Sequence, residues 1–297
     1  MFISFRALSL CIGGGLLAAA AIPIYFAWRW VRPHREPWPR DIKAQQVFFP
    51  SLDGHQLQGL WLGDKPNRPT VILCHGYFRS LAEPYEIGLW LNGEGYNTLL
   101  FDFRGCGRSE AAFTTLAAKE TLDVLGAIRW AKEHTGGPIA LYGISMGASA
   151  ALMAAARSPD VAVLLLDSPY SELEAVVEQR LVTLISHPWL RPVARLSVRL
   201  GEILSANAVC RVRPIDAVGG VLPRPMLFIF GENDSLIPRW QWQDLYQASG
   251  AAGELWVAPG SGHVRARFDH PEEYRRRLSQ FLKRHLGAPA PVEEASA

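Results

Sequence analysis

Cysteine is scarce in this sequence of 297 residues, which has four, and no two of them form a Cys-x-x-Cys pair. They stand far apart, at Cys11, Cys74, Cys106 and Cys210. This pattern indicates no disulfide framework and favours free and mostly buried thiols over disulfides or metal ligands. The histidines do not have the spacing of metal ligands either, and we therefore expect no metal site.

A strong excess of charge of one sign is also missing, since the formal net charge is +2. The first 45 residues contain six basic and two acidic side chains, so the rest of the chain has a small negative excess. This distribution predicts no basic face for nucleic acid. The basic residues near the beginning of the chain flank an apolar segment instead.

The apolar segment runs from Ala7 to Trp28, 22 residues without a charge, which is long enough for a helix that crosses a bilayer. Arginines are denser on its carboxyl side, which predicts a single-pass anchor with the following domain on the cytoplasmic side. The alternative is a cleaved signal peptide with its cleavage site at the alanines 18–21, and a secreted or periplasmic protein. The apolar run continues beyond those alanines, which favours the anchor. We predict a transmembrane anchor over 1–32 and a proline- and charge-rich linker over 33–45.

The rest of the chain has the pattern of an α/β domain. Asp53-Gly54, between two apolar stretches, predicts a β-hairpin. Short apolar stretches then alternate with helical patterns, which predicts a mostly parallel sheet with helices on both faces. The strands are predicted at Val71–Cys74, Asn97–Phe101, Ile139–Tyr142, Val161–Leu166, Met226–Phe230 and Glu254–Val257. We assign this domain to 46–286 and expect a disordered tail over 287–297, which is rich in alanine, proline and glutamate.

Ser145 is the candidate nucleophile. It lies in Gly143-Ile144-Ser145-Met146-Gly147, between a predicted strand and an alanine-rich predicted helix. In a strand, tight turn and helix of this kind, side chains at the glycine positions would collide with the neighbouring strand and helix. The serine hydroxyl is then exposed at the end of the sheet, where the helix N-terminus favours developing negative charge.

A serine hydroxyl needs a base and a group that orients the base. Asp234 follows the predicted strand Met226–Phe230, and His263 lies on a glycine-rich loop after Glu254–Val257. Both therefore fall at the carboxyl ends of parallel strands, where such sheets bind ligands. We predict Asp234 as the orienting acid and His263 as the base.

Other residues compete for these two roles. Asp167 ends the strand Val161–Leu166 and is the alternative acid, although the spacing of Asp234 to His263 fits one helix and one strand. His270 precedes Pro271 at a predicted helix entrance and is expected to be exposed. His75 is expected to brace a neighbouring loop rather than act as the base.

A fourth segment, Val71–Cys74 followed by His75-Gly76-Tyr77, predicts a strand that runs into a turn. An acyl-transfer enzyme needs backbone amides directed at the oxygen that becomes negative. We predict the amides of Met146 and Tyr77 as the oxyanion hole, with Phe78 as the alternative to Tyr77.

With these segments, roughly 46–286 resembles the α/β-hydrolase superfamily, and most of all its monoacylglycerol-lipase-like and serine-aminopeptidase-like group. The chain order of serine, acid and histidine is the order of that superfamily. Tyr96–Ser109 is also similar to a strand-plus-turn segment of the family, although Cys106 stands where many relatives have histidine. The resemblance implies an α/β-hydrolase fold.

One interval, 171–207, is too long for a simple crossover and has apolar residues at helical spacing. We predict a helical cap over the active site, where such insertions set the shape of the substrate site. The alternative is a longer surface excursion of the crossover. Three arginines, Arg191, Arg195 and Arg199, are expected on a solvated helix face.

These predictions combine into a membrane-anchored serine hydrolase that cleaves a carboxylic ester through an acyl-serine intermediate and needs no cofactor. It would be a carboxylesterase or a lysophospholipase- or lipase-like enzyme, whose partner is a small-molecule acyl ester or lipid. The anchor and the leucine-rich cap favour an apolar acyl group. The alternatives are a serine aminopeptidase or amidase and a non-catalytic binding protein of the same fold.

Overall fold

The computed structural model describes residues 21–33, 35–40, 42, 44–63, 67–185 and 187–287. The first 20 residues of the predicted anchor and the predicted tail after Gly287 lie outside these described residues.

Eight strands form one sheet in the order β1-β2-β4-β3-β5-β6-β7-β8. The strands are β1 (Gln45–Pro50), β2 (Gln56–Leu62), β3 (Thr70–Cys74), β4 (Asn97–Phe101), β5 (Ile139–Ile144), β6 (Val161–Asp167), β7 (Met226–Gly231) and β8 (Gly253–Ala258). The pairs β1–β2 and β2–β4 are antiparallel, and the other pairs are parallel. The predicted mostly parallel sheet is thus confirmed, and Asp53-Gly54 lies in the turn of the predicted hairpin.

Helices cover both faces of this sheet. The residues 21–31 are helical and are called α1. The others are α2 (Tyr85–Gly93), α3 (Glu120–His134), α4 (Met146–Ala155), α5 (Leu173–Leu184), α6 (Arg191–Ser205), α7 (Val218–Val221), α8 (Arg239–Ser249), α9 (Ala266–Asp269) and α10 (Pro271–Leu286).

Alternate residues of the central strands enter two different apolar cores. In β3, Ile72 and Cys74 lie in the core with α3, α4 and α8, whereas Val71 and Leu73 lie in the core with α2 and α10. Successive side chains of a strand point to opposite faces of the sheet. Burial on both faces explains why these strands are continuous apolar stretches in the sequence.

Helix α1 packs on the domain. Ala27 and Val31 are buried, and α6 approaches α1 at Gly201, where an added Cβ would lie 3.3 Å from Val31 Cγ1. The amide of Thr114 donates to the carbonyl oxygen of Val31 at 2.8 Å. The carboxyl end of α1 is therefore attached to the loop that precedes α3.

No helix in the described part of the chain is long and apolar enough to cross a bilayer. Most of the apolar stretch 7–28 on which the predicted anchor rests lies outside that part. The predicted linker is in contact with the domain, since Trp38 is buried and its Nε1 donates to Asp102 Oδ2 at 2.5 Å.

The predicted cap, 171–207, contains α5 and α6. Helix α5 buries its apolar side in the first core, together with α3, α4 and α8. On α6, Arg195 pairs with Glu178 at 3.1 Å and Arg199 pairs with Glu202 at 2.8 Å. Both arginines are exposed, so such pairs contribute little to stability.

Candidate active site

Ser145 stands at the turn from β5 to α4 with φ 51° and ψ −115°, a backbone conformation that is strained for a residue with a side chain. An added Cβ at Gly143 would lie 2.5 Å from Ala148 Cα, and one at Gly147 would lie 2.4 Å from the carbonyl oxygen of Cys74. Larger residues at either position would push backbone apart. The two glycines are therefore a steric requirement of the turn that exposes the serine.

The structure brings Ser145, His263 and Asp234 into one chain of hydrogen bonds. Ser145 Oγ lies 2.9 Å from His263 Nε2, and His263 Nδ1 lies 2.7 Å from Asp234 Oδ2. An ionised carboxylate only accepts hydrogen bonds, so Nδ1 carries the proton and Nε2 accepts from the serine hydroxyl. Asp234 is nearly inaccessible, with a side chain 2% exposed, whereas His263 is 19% exposed.

Asp234 is held by its own loop. Its Oδ1 accepts from the amides of Leu236 and Ile237, both at 2.9 Å. Gly231 at the end of β7 allows this loop and the His263 loop to meet, because an added Cβ there would lie 2.3 Å from the carbonyl oxygen of Gly262. Oδ2 is thereby directed at the imidazole.

Asp167, the alternative acid, has other partners. Its carboxylate accepts from the hydroxyls of Tyr274 at 2.8 Å and Ser168 at 2.9 Å. Burial raises the pKa of Asp167 above its ordinary value. Its backbone oxygen accepts from the amide of Ser145 at 2.7 Å, so Asp167 supports the serine turn while His263 bonds to Asp234.

The alternative histidines also lie elsewhere. His75 is fully buried; its Nε2 accepts from the amide of Phe103 at 3.0 Å, and its Nδ1 donates to the carbonyl oxygen of Gly76 at 2.8 Å. It thus braces the turn after β3. His270 is half-buried rather than exposed, because its ring nitrogen Nε2 bonds to the carbonyl oxygen of Pro259 at 2.8 Å.

The amides predicted to form an oxyanion hole are available. Met146 is the first residue of α4, and the amide of a first helical residue has no partner within its helix. Tyr77 and Phe78 lie in the turn after β3 and line the same cavity as Ser145. Within the described residues, none of these three amides donates to another protein group.

That cavity has a volume of about 320 Å³ and is mainly apolar. Its lining includes Trp30, Leu116, Tyr170, Val176 and Leu236. Among the described residues that line it, Arg180 is the one charged side chain, and it is exposed. A cavity of this composition favours an apolar group next to the serine.

Glu83 and Arg267 join the two sides of the site, and sequence reasoning missed both. Glu83 Oε2 accepts from the amide of Gly76 at 2.6 Å, and its Oε1 accepts from Arg267 at 3.0 Å. The two side chains are 5% and 6% exposed. Arg267 follows His263 by four residues, so this buried pair connects the turn of the predicted oxyanion hole to the histidine loop. The two charges are 184 residues apart and belong to no motif.

Glu120 is a third residue that sequence reasoning missed. Its buried carboxylate accepts from Thr114 Oγ1, from the amide and Oγ1 of Thr115, and from the amide of Ala117, at 2.6–2.9 Å. These bonds hold the loop in which Leu116 faces the cavity with φ 53°. No capping box in the sequence marks this cluster, because the N-cap residue of α3 is Lys119 and its side chain makes no capping bond.

The described cysteines take no part in the site. Cys74 and Cys106 are buried, Cys210 is exposed, all three are free, and Cys11 lies outside the described residues. Burial raises the pKa of both buried thiols, which keeps them neutral. In the part of the chain that the structure describes, no three metal-binding side chains lie together.

The family model of the Alpha/beta hydrolase family matches residues 71–277. The match covers more than half of the chain and includes all three residues of the hydrogen-bonded chain. The protein belongs to the Alpha/beta hydrolase family.

Curated relatives match most of the chain. The uncharacterised protein YqkD of Bacillus subtilis is 27% identical over 240 residues, which cover 79% of this chain and 77% of that protein. The uncharacterised protein YfhR of Escherichia coli K12 is 23% identical over 257 residues, with 83% of this chain and 82% of that protein covered.

Among solved structures, the esterase Pf2001 of Pyrococcus furiosus has a TM-score of 0.73 and 28% identity, covering 87% of this chain and 99% of that chain. The alpha/beta hydrolase GrgF of Penicillium has a TM-score of 0.67 and 22% identity, covering 82% of this chain and 99% of that chain. The second likeness shows the fold alone. The chain is therefore an alpha/beta hydrolase with an esterase-like structure.

Proposed function

We propose that this protein is a serine hydrolase that cleaves carboxylic esters through an acyl-serine intermediate. The observation that carries the proposal is the chain of hydrogen bonds from Ser145 through His263 to Asp234 beside an apolar cavity. It assigns a nucleophile, a base and an orienting acid to side chains that already have the required geometry.

In the first half of the reaction, His263 Nε2 takes the proton of Ser145 as Oγ attacks the acyl carbonyl carbon. Asp234 holds the imidazole in the required tautomer and stabilises its cation. The amides of Met146 and Tyr77 donate to the oxygen that becomes negative, a contribution of about 3 kcal/mol for each donor in related enzymes. The tetrahedral intermediate then expels the alcohol, which takes its proton from His263.

In the second half, His263 removes a proton from water as the water oxygen attacks the acyl-serine carbonyl carbon. The oxyanion is held by the same two amides. Collapse of this intermediate returns the proton to Ser145 Oγ and releases the carboxylic acid. Every proton transfer uses side chains of the protein, so no cofactor takes part in the proposed mechanism.

Ester cleavage is favoured over aminopeptidase activity by the charge around the cavity. An aminopeptidase must bind the ammonium group of its substrate, for which a carboxylate is the natural partner. The described residues that line the cavity include no aspartate or glutamate, and the charged residue among them is Arg180. The likeness to the esterase Pf2001 supports the same choice. The intact hydrogen-bonded chain argues against a purely non-catalytic binding protein.

The proposed enzyme is attached to a membrane by the apolar segment 7–28, with its catalytic domain on the cytoplasmic side. This part of the proposal rests on the sequence. Exposed apolar side chains on α1, namely Ile22, Ile24, Tyr25 and Phe26, agree with it. Flotation of the full chain with lipid vesicles, compared with a chain that lacks residues 1–20, tests it; equal flotation would contradict it.

Labelling with a fluorophosphonate probe tests the proposed nucleophile. The wild-type protein is expected to be labelled and Ser145→Ala to remain unlabelled, because the probe reacts with an activated serine. Ser279→Ala, which alters a serine on α10, is the matched control and should label like the wild type. Labelling of Ser145→Ala would refute the assignment. Hydrolysis of amino-acid amides faster than of esters would refute the choice of ester.

A further inference from the structure

Trp30 lies between two apolar cavities. The first is the cavity of about 320 Å³ beside Ser145. The second has about 330 Å³ and lies between α1 and the helices α5 and α6, where Phe26, Leu181 and Val193 line it. Among the described residues, Trp30 is the one that lines both cavities.

The main chain around Trp30 is fixed to the active site. Its carbonyl oxygen accepts from the hydroxyl of Tyr77 at 2.5 Å, and the next carbonyl oxygen, of Val31, accepts from the amide of Thr114 at 2.8 Å. Burial raises the pKa of Tyr77 above its ordinary value, so its hydroxyl keeps the proton that it donates. The indole of Trp30 is therefore presented at a set position, half-buried against the first core.

The second cavity is suited to a hydrocarbon chain. Its described lining consists of apolar side chains and Ser197, without a charged residue. Because Trp30 is the described residue common to both linings, an acyl chain bound to Ser145 Oγ that extends into this space would pass its indole. Each methylene group that leaves water gains roughly a fourfold factor in affinity.

We propose that Trp30 determines the acyl-chain length of the substrate, an inference that rests on the proposed esterase function. Its indole closes the cavity beside Ser145, so that short and medium acyl groups fit. Removal of the indole joins the two cavities and admits a longer chain. The end of the segment predicted as a membrane anchor is thereby a specificity-determining part of the active site.

The test compares kcat/KM for p-nitrophenyl butanoate and p-nitrophenyl dodecanoate. Trp30→Ala is expected to raise the dodecanoate-to-butanoate ratio at least about tenfold, which corresponds to about two additional buried methylenes. Trp30→Phe, with a smaller ring, should shift the ratio in the same direction by less. Trp240→Ala, which removes a half-exposed tryptophan of α8, is the matched control and should leave the ratio unchanged.

A second substitution shows whether the gain uses the second cavity. Ala194 lines that cavity but not the first one. Ala194→Phe in the Trp30→Ala background should abolish the gain with dodecanoate. If circular dichroism shows that Trp30→Ala does not fold, Trp30→Phe takes its place. Its smaller shift in the dodecanoate-to-butanoate ratio, and the loss of that shift when Ala194→Phe is added, then test the role of the second cavity.

The outcomes separate this inference from the proposed function. A folded Trp30→Ala protein that hydrolyses p-nitrophenyl butanoate and keeps the wild-type dodecanoate-to-butanoate ratio overturns the role of Trp30. The esterase proposal then remains intact. A gain that persists in the double variant overturns the role of the second cavity. Absence of labelling and of ester hydrolysis in the wild-type protein overturns the proposed function itself.

Discussion

Replacement of Asp234 by asparagine is expected to disable the site while its shape stays nearly unchanged. In the wild-type protein, Oδ1 accepts from the amides of Leu236 and Ile237, and Oδ2 accepts from His263 Nδ1. The asparagine must keep its carbonyl oxygen toward the two amides, because the opposite orientation would place its NH2 group against two donors. The NH2 group then faces His263.

That orientation changes the tautomer of His263. A donor opposite Nδ1 favours the neutral imidazole with its proton on Nε2, and this nitrogen then has no lone pair to accept the proton of Ser145. The wrong tautomer in a Ser-His-Asp site lowers kcat by about 10⁴. This factor corresponds to about 5.4 kcal/mol of transition-state free energy.

Initial rates with p-nitrophenyl butanoate measure kcat, and urea unfolding of both proteins measures the change in stability. We expect kcat to fall by about 10⁴, while the free energy of unfolding changes by less than about 2 kcal/mol. An Asp234→Asn protein that keeps more than a tenth of the wild-type kcat would refute the role of Asp234. A 10⁴-fold loss in Asp167→Asn instead would assign the acid to β6.

Two further predictions concern the buried charges around the site. Glu83→Gln leaves Arg267 without its carboxylate and should lower the free energy of unfolding by about 3 kcal/mol in urea unfolding, whereas Glu178→Gln breaks an exposed pair and should cost about 1 kcal/mol or less. Equal losses in the free energy of unfolding of the two variants would contradict this prediction. Because burial raises the native pKa of Asp167 above that of the unfolded chain, its contribution to stability is present at low pH and is lost as the pH rises through the native pKa. The free energy of unfolding of Asp167→Asn relative to wild type should therefore increase with pH. If the free energies of unfolding of the two proteins change in parallel with pH, this prediction is wrong.

Local features of the sequence predicted the sheet and the positions of the three central side chains. The buried strands stand out because both of their faces are apolar, and the structure extends the predicted strands by one or two residues at most at each end. Ser145, Asp234 and His263 each follow such a strand, so the parallel sheet brings them to one edge. Their hydrogen bonds follow from that placement and from the glycines that let the loops meet.

Contacts between distant segments could not be predicted in this way. Glu83 and Arg267 are ordinary charges in the sequence, and only the fold makes them a buried pair. Trp30 likewise falls within the predicted anchor in the sequence, whereas the structure places it in the wall of the cavity beside Ser145. Periodicity indicates that a face is apolar but does not say which other element covers it.

The position of Trp30 links the two parts of the proposed function. The sequence predicts the segment 7–28 as an anchor, and α1 ends with Trp30 and Val31, whose carbonyl oxygens accept from Tyr77 and Thr114. Tyr77 in turn supplies the amide proposed for the oxyanion hole, so the carboxyl end of the anchor segment contacts the catalytic machinery through one hydrogen bond. A chain without α1 would lose that bond and one wall of the substrate cavity. On these two proposals, membrane attachment and substrate selection depend on the same stretch of chain, and loss of that stretch is expected to alter specificity even where the three residues of the hydrogen-bonded chain remain in place.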